Sequence, residues 1–63
     1  MNSTKDMHAN INIGDTVGHP SRQGTYEVIA IYDFYGTKTA RIVNHPSKLC
    51  FNLRVQDLRA ARP

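Results

Sequence analysis

Sixty-three residues carrying a formal net charge of +3 allow one domain and no more. A chain this short buries only ~60% of the surface that its unfolded form exposes, and domains of that size lean on a disulfide, a metal or a partner subunit. Cys50 is the single cysteine, which excludes an intrachain disulfide, and the three histidines have no metal-ligand spacing around it.

Residues 1–10 are polar and without periodicity, and read as a disordered tail ahead of one domain over 11–61. Order begins near Ile11-Asn12-Ile13, and Gly14-Asp15 signals a turn in which Asp15 bonds the backbone. Thr16 to His19 reads as a short strand with Val17 inward, and Pro20 to Gly24 as a loop bracketed by Pro and Gly. Thr25 to Tyr32 is the strongest strand, rich in β-branched and aromatic residues, and places Tyr26 and Tyr32 on one face. Asp33 to Thr37 turns the chain, with Gly36 available for a positive φ.

Lys38 to Asn44 forms the next strand, with Ala40 and Ile42 set against Thr39, Arg41 and Val43. After a turn at His45-Pro46-Ser47, Lys48 to Arg54 alternates: Leu49, Phe51 and Leu53 share one face, Lys48, Cys50, Asn52 and Arg54 the other. Val55 to Leu58 suits one tight helical turn and Arg59 to Ala61 a short closing strand. Helical spacing is confined to Leu53–Ala61, so the expected class is all-β: about five short antiparallel strands with one 3-10 turn near the C-terminus.

Ile-Gly-Asp-x-Val at Ile13–Val17, a loop ending in Gly24, long strands and a final Val-x-Asp-Leu at Val55–Leu58 resemble the small SH3-like barrels of the tudor and KOW kinds. The resemblance covers roughly residues 11–61 and implies a binding module. Type II dihydrofolate reductase, plasmid-encoded, is a more distant likeness, carried by Gly14-Asp15-x-Val17, the strand Val28–Tyr32 and His45-Pro46. That family works as a tetramer around a pore, through a Gln-Ile-Tyr run after His-Pro. Here the stretch reads Leu49-Cys50-Phe51-Asn52 and the chain has no tryptophan, so a small oligomeric enzyme of that kind is the least favoured reading.

Charge divides unevenly along the chain. Residues 1–37 hold Lys5 and Arg22 against Asp6, Asp15, Glu27 and Asp33, and residues 38–63 hold Lys38, Arg41, Lys48, Arg54, Arg59 and Arg62 against Asp57 alone. Such asymmetry fits an anionic partner or a solvated surface. Arg41, Lys48 and Arg54 are expected on outward faces of neighbouring strands, beside Phe34 and Tyr35 at the turn after the long strand. Aromatics of this kind stack bases or cage cations. The candidate binding residues are therefore Tyr32, Phe34, Tyr35, Lys38, Arg41, Lys48 and Arg54, with nucleic acid or an acidic protein surface as the partner. The alternative is a protein-interaction or inhibitor module. Val28-Ile29-Ala30-Ile31 is apolar on both faces, so either a loop or, in a homo-oligomer, another subunit covers the second one.

No catalytic group is assigned. Cys50 lacks a base on its own face, since His45 stands five residues away across a strand; a strand cysteine is more often a small inert hydrophobe. Asp57 fits either a cap on the tight turn or a partnership with Arg54 or Arg59. Val17-Gly18-His19-Pro20-Ser21-Arg22 and Val43-Asn44-His45-Pro46-Ser47-Lys48 match at five positions with Arg and Lys counted alike. Two strand ends that both stop at Pro explain this better than a duplication. No cofactor is called for. With neither a signal-peptide run nor the ~18 apolar residues of a membrane span, the expected compartment is the cytoplasm.

Overall fold

A computed structural model describes residues 11–60. The expected tail (residues 1–10) and Ala61, the last residue of the expected closing strand, lie outside them. The all-β expectation holds. Five strands follow in order: β1 Thr16–His19, β2 Arg22–Phe34, β3 Thr37–Asn44, β4 Leu49–Arg54 and β5 Arg59–Ala60, with a 3-10 turn at Val55–Asp57. They form one antiparallel sheet in the order β4-β3-β2-β1-β5.

The length of β2 dictates the shape. Thirteen residues at ~3.3 Å each would span roughly 43 Å if straight, yet the longest dimension of the described chain is 32 Å. The strand must bend. Its first half pairs with β1 and its second with β3, Glu27 serving both, so the sheet curls into a small barrel-like form. Two irregularities supply the bend. Opposite Gly18 and His19, the partners on β2 jump from Thr25 to Arg22, which sets Gln23 and Gly24 (φ 96°) apart from the ladder. Between Val28 and Ala30 the register with β3 slips by one at Ile29.

The first slip corrects the expected loop at Pro20–Gly24: only Pro20 and Ser21 connect the strands, and the rest is a bulged extension of β2. The second corrects the shared face of Tyr26 and Tyr32. An extra residue reverses which side chains point inward, so Tyr26 is buried with Val28 while Tyr32 stands outside.

The core is Ile11, Val17, Tyr26, Val28, Ala40, Ile42, Val55 and Leu58, with Ile31, Phe51 and Leu53 packed against it. Across β2, β3 and β4 these residues form two inward rows, Val28–Ile42–Phe51 and Ile31–Ala40–Leu53. The alternation read in Lys48–Arg54 therefore holds for Phe51 and Leu53, whereas Leu49, at the strand end, is exposed. Val55 in the 3-10 turn and Leu58 just after it cover the core. At the other end of the chain, Asn12 and Asp15 lock a turn: Asp15 Oδ2 accepts from the Asn12 N–H at 2.8 Å, as expected of Asp15. Gly14 and Asp15 then lace onto Val28 through two backbone hydrogen bonds of 2.8 and 2.9 Å.

Candidate functional site

Turning one sheet face to the core leaves the other face to solvent, and the register fixes which side chains share it. The outward rows are Ala30–Arg41–Asn52 and Tyr32–Thr39–Arg54, with Phe34 beside Thr37 at the hairpin end. A groove of about 320 Å³ runs over this face, lined by Tyr32, Phe34, Thr39, Asn52 and Arg54. Thr39 is its floor: the residue is buried and its hydroxyl is turned to the Thr37 carbonyl at 3.0 Å. The Tyr32 hydroxyl donates to Asn52 Oδ1 at 2.9 Å, which pins the ring across β3 and leaves its face open to solvent. Arg54 donates through Nε to Asp57 Oδ2 at 2.9 Å, the partnership anticipated in the sequence. That bond uses one edge of the guanidinium, and the terminal amino groups have no hydrogen-bond partner among the described residues.

At the end of the groove the chain turns through Tyr35 and Gly36, both at positive φ (52° and 83°). A two-residue hairpin turn of this type favours Asn-Gly or Asp-Gly, and a bulky residue at positive φ is an outlier. Tyr35 nevertheless occupies the position. It is 92% exposed and meets little but the Phe34 ring, edge to face, with centroids 4.5 Å apart.

Five of the seven expected site residues thus fall on one surface: Tyr32, Phe34, Tyr35, Arg41 and Arg54. Arg41 stands one row from the groove, exposed and without an ion pair among the described residues. Lys38 is in register with Asp33, on the row that alternates away from Tyr32 and Phe34. Lys48 lies in the turn before β4, at φ 67°, rather than on an outward strand face, which corrects the expected Arg41–Lys48–Arg54 grouping. Phe34 is the last residue of β2 rather than a loop tip. The groove also contains Thr39 and Asn52, which sequence reasoning passed over. Their positions on the polar side of two alternating strands were the available signal.

Elsewhere, His45 Nε2 and Glu27 Oε1 approach to 2.5 Å. Cys50 is exposed. Among the described residues no group of three or more His, Cys, Asp or Glu is placed to hold a metal, and no helix is long and apolar enough to cross a membrane. The chain matches no family model, no curated protein and no solved structure.

Proposed function

We propose that this chain is an SH3-like barrel serving as a non-catalytic cytoplasmic binding module for single-stranded nucleic acid. In this reading bases stack on Tyr32, Phe34 and Tyr35, and Arg54 and Arg41 neutralise phosphates. The strand order with a 3-10 turn before the last strand agrees with that barrel plan. The observation that carries the function is where the aromatics are spent. The chain has three tyrosines and two phenylalanines. A small domain needs such rings in its core, yet Tyr32, Phe34 and Tyr35 are 38%, 56% and 92% exposed, contiguous, and beside an arginine. Stacked bases gain ~1–3 kcal/mol each without regard to sequence, and Asn52 offers an amide to a base edge.

Fluorescence anisotropy with labelled single-stranded DNA and RNA of ten to fifteen nucleotides, repeated across a salt series, tests the proposal. Affinity should fall linearly on a log–log plot, and Arg41→Gln or Arg54→Gln should each reduce the slope by about 0.7. Binding that ignores salt, or that survives Phe34→Ala unchanged, would defeat it. A protein partner or a second copy is the competing reading, favoured by the exposed Ile29 and Leu49. A light-scattering mass of a dimer or tetramer that is indifferent to oligonucleotide would support that reading instead.

A further inference from the structure

A second cavity opens where the β1–β2 and β3–β4 turns meet, and it shares no residue with the aromatic groove. It measures about 400 Å³ and is lined by Ser21, Arg22, Gln23 and Tyr26 on one side and Asn44, Ser47 and the apolar Leu49 on the other. The two His-Pro-Ser-cation segments therefore meet in space, although their turns are built differently. In the first, His19 Nδ1 accepts from the Ser21 N–H at 3.0 Å. In the second, Asn44 Oδ1 accepts from the Ser47 N–H and hydroxyl at 2.9 and 2.6 Å.

The cavity is rich in donors, and no carboxylate lines it. The Arg22 guanidinium lies over Phe51, 5.2 Å from the ring centroid, and has no ion pair among the described residues. Stacking holds the planar fork while leaving its N–H edges free. Tyr26 packs its ring on His19 and on the same Phe51, with centroids 5.9 and 5.8 Å apart. The residue is only 3% exposed, and its hydroxyl has no partner among the described residues. Among the described residues no buried side-chain polar atom lacks a partner, so that hydroxyl reaches the surface. The Ser21 hydroxyl lies 3.3 Å from His19 Nδ1, which the Ser21 N–H also serves, so it can give up that longer contact and turn inward. Asn44 donates one amide hydrogen to the Thr25 carbonyl at 3.0 Å and keeps a second.

We infer that this cleft is an oxyanion site for a phosphate monoester. Arg22 takes two oxygens in its fork, and the Tyr26 and Ser21 hydroxyls and the Asn44 amide serve the third. A charged guanidinium with neutral donors on both flanks suits a tetrahedral dianion better than a planar carboxylate, whose two oxygens the fork alone would fill. The inference is independent of the groove and of its proposed nucleic-acid ligand.

The test is an NMR titration of the ¹⁵N-labelled full chain at constant ionic strength, with inorganic phosphate, a nucleoside 5′-monophosphate and acetate as separate arms. Phosphate should move the amides of Ser21, Arg22, Gln23 and Ser47 and saturate, with acetate much weaker. If the nucleotide moves the same amides, the source is an esterified phosphate; if only inorganic phosphate does, it is the free ion. Arg22→Gln should weaken phosphate binding at least about tenfold, the loss expected for a charge-assisted hydrogen bond. Arg22→Lys should restore part of it, and Lys38→Gln, at a cation outside both cavities, should leave phosphate binding unchanged. Should Arg22→Gln fail to fold, Tyr26→Phe removes one hydroxyl and should weaken binding about threefold. Shifts spread evenly over the basic surface, acetate equal to phosphate, or variants titrating like the parent would overturn the site. An oligonucleotide lacking a terminal phosphate reports separately on the groove, through the amides of Tyr32 and Asn52.

Discussion

Replacing Tyr35 by Asn should make the protein more stable and a poorer binder at once. In the β2–β3 turn Tyr35 sits at φ 52°. An L-residue there suffers a Cβ–carbonyl clash costing roughly 1–2 kcal/mol, which Asn partly escapes through local hydrogen bonding. Against that relief stands the loss of the ring contact with Phe34. Aromatic pairs contribute ~0.5–1.5 kcal/mol, but these rings are 56% and 92% exposed, so the lower end applies. The balance is a gain of about 0.5–1 kcal/mol. At ~4–8 °C per kcal/mol for a domain of this size, the midpoint should rise by about 2–8 °C. Oligonucleotide affinity should move the other way, by the ~1–3 kcal/mol of one stacked base, or about five- to 150-fold. Thermal unfolding followed by circular dichroism and anisotropy on the same sample read the two effects. A lowered midpoint would show that ring packing outweighs backbone strain. Unchanged affinity would remove Tyr35 from the binding surface.

Other substitutions should separate core from site. Ile42→Ala deletes a side chain that is fully buried in the central strand and should cost ~2–5 kcal/mol, enough to unfold much of so small a domain in a urea titration, whereas Ile13→Ala, at 65% exposure, should stay within about 0.5 kcal/mol. Gly24→Ala places a Cβ 3.6 Å from Asn44 Nδ2, an ordinary contact, so any destabilisation comes from φ 96°; a loss of about 1–2 kcal/mol is expected, and a neutral result would mean the bulge relaxes. Asp57→Asn removes the carboxylate beside Arg54. Because that pair is well exposed, stability should change by less than about 1 kcal/mol, while oligonucleotide binding tightens as the arginine is released; weaker binding would mean that Asp57 is needed to aim it.

The fold was legible in the sequence wherever a period-2 pattern ran uninterrupted. Ala40 and Ile42 in β3, and Phe51 and Leu53 in β4, announced their faces and fell where alternation put them. The reading failed at β2 for a physical reason. A bulge adds one residue to one strand and inverts every side chain beyond it, and nothing in Val28-Ile29-Ala30-Ile31 marks which apolar residue will be extra. The register that decides lies on the partner strand, where Ile42 and Ala40 must both face the core opposite Val28 and Ile31. The apolar run that suggested two covered faces is explained in part by the same slip, since Ile29 is the residue set aside.

The bulge also makes the groove. Without the slip at Ile29, Tyr32 would point inward with Tyr26, and the outer face would carry Ile31 and Asp33 in place of Tyr32 and Phe34. One inserted residue therefore converts a strand that could have fed the core into one that presents two aromatics beside Arg54 and Asn52. Deleting Ile29 should restore plain alternation. Val28 and Ala30 then meet Ile42 and Arg41 as consecutive residues, so if the chain still folds Tyr32 should stay opposite Thr39, remain open to iodide quenching and keep oligonucleotide binding. A buried Tyr32, or binding lost from a folded variant, would refute this account of the register. The remainder of the site, Thr39 and Asn52, was hidden because a polar residue on an outward strand face is the commonest residue there is; only the cross-strand register with Tyr32 gives those two a shared purpose.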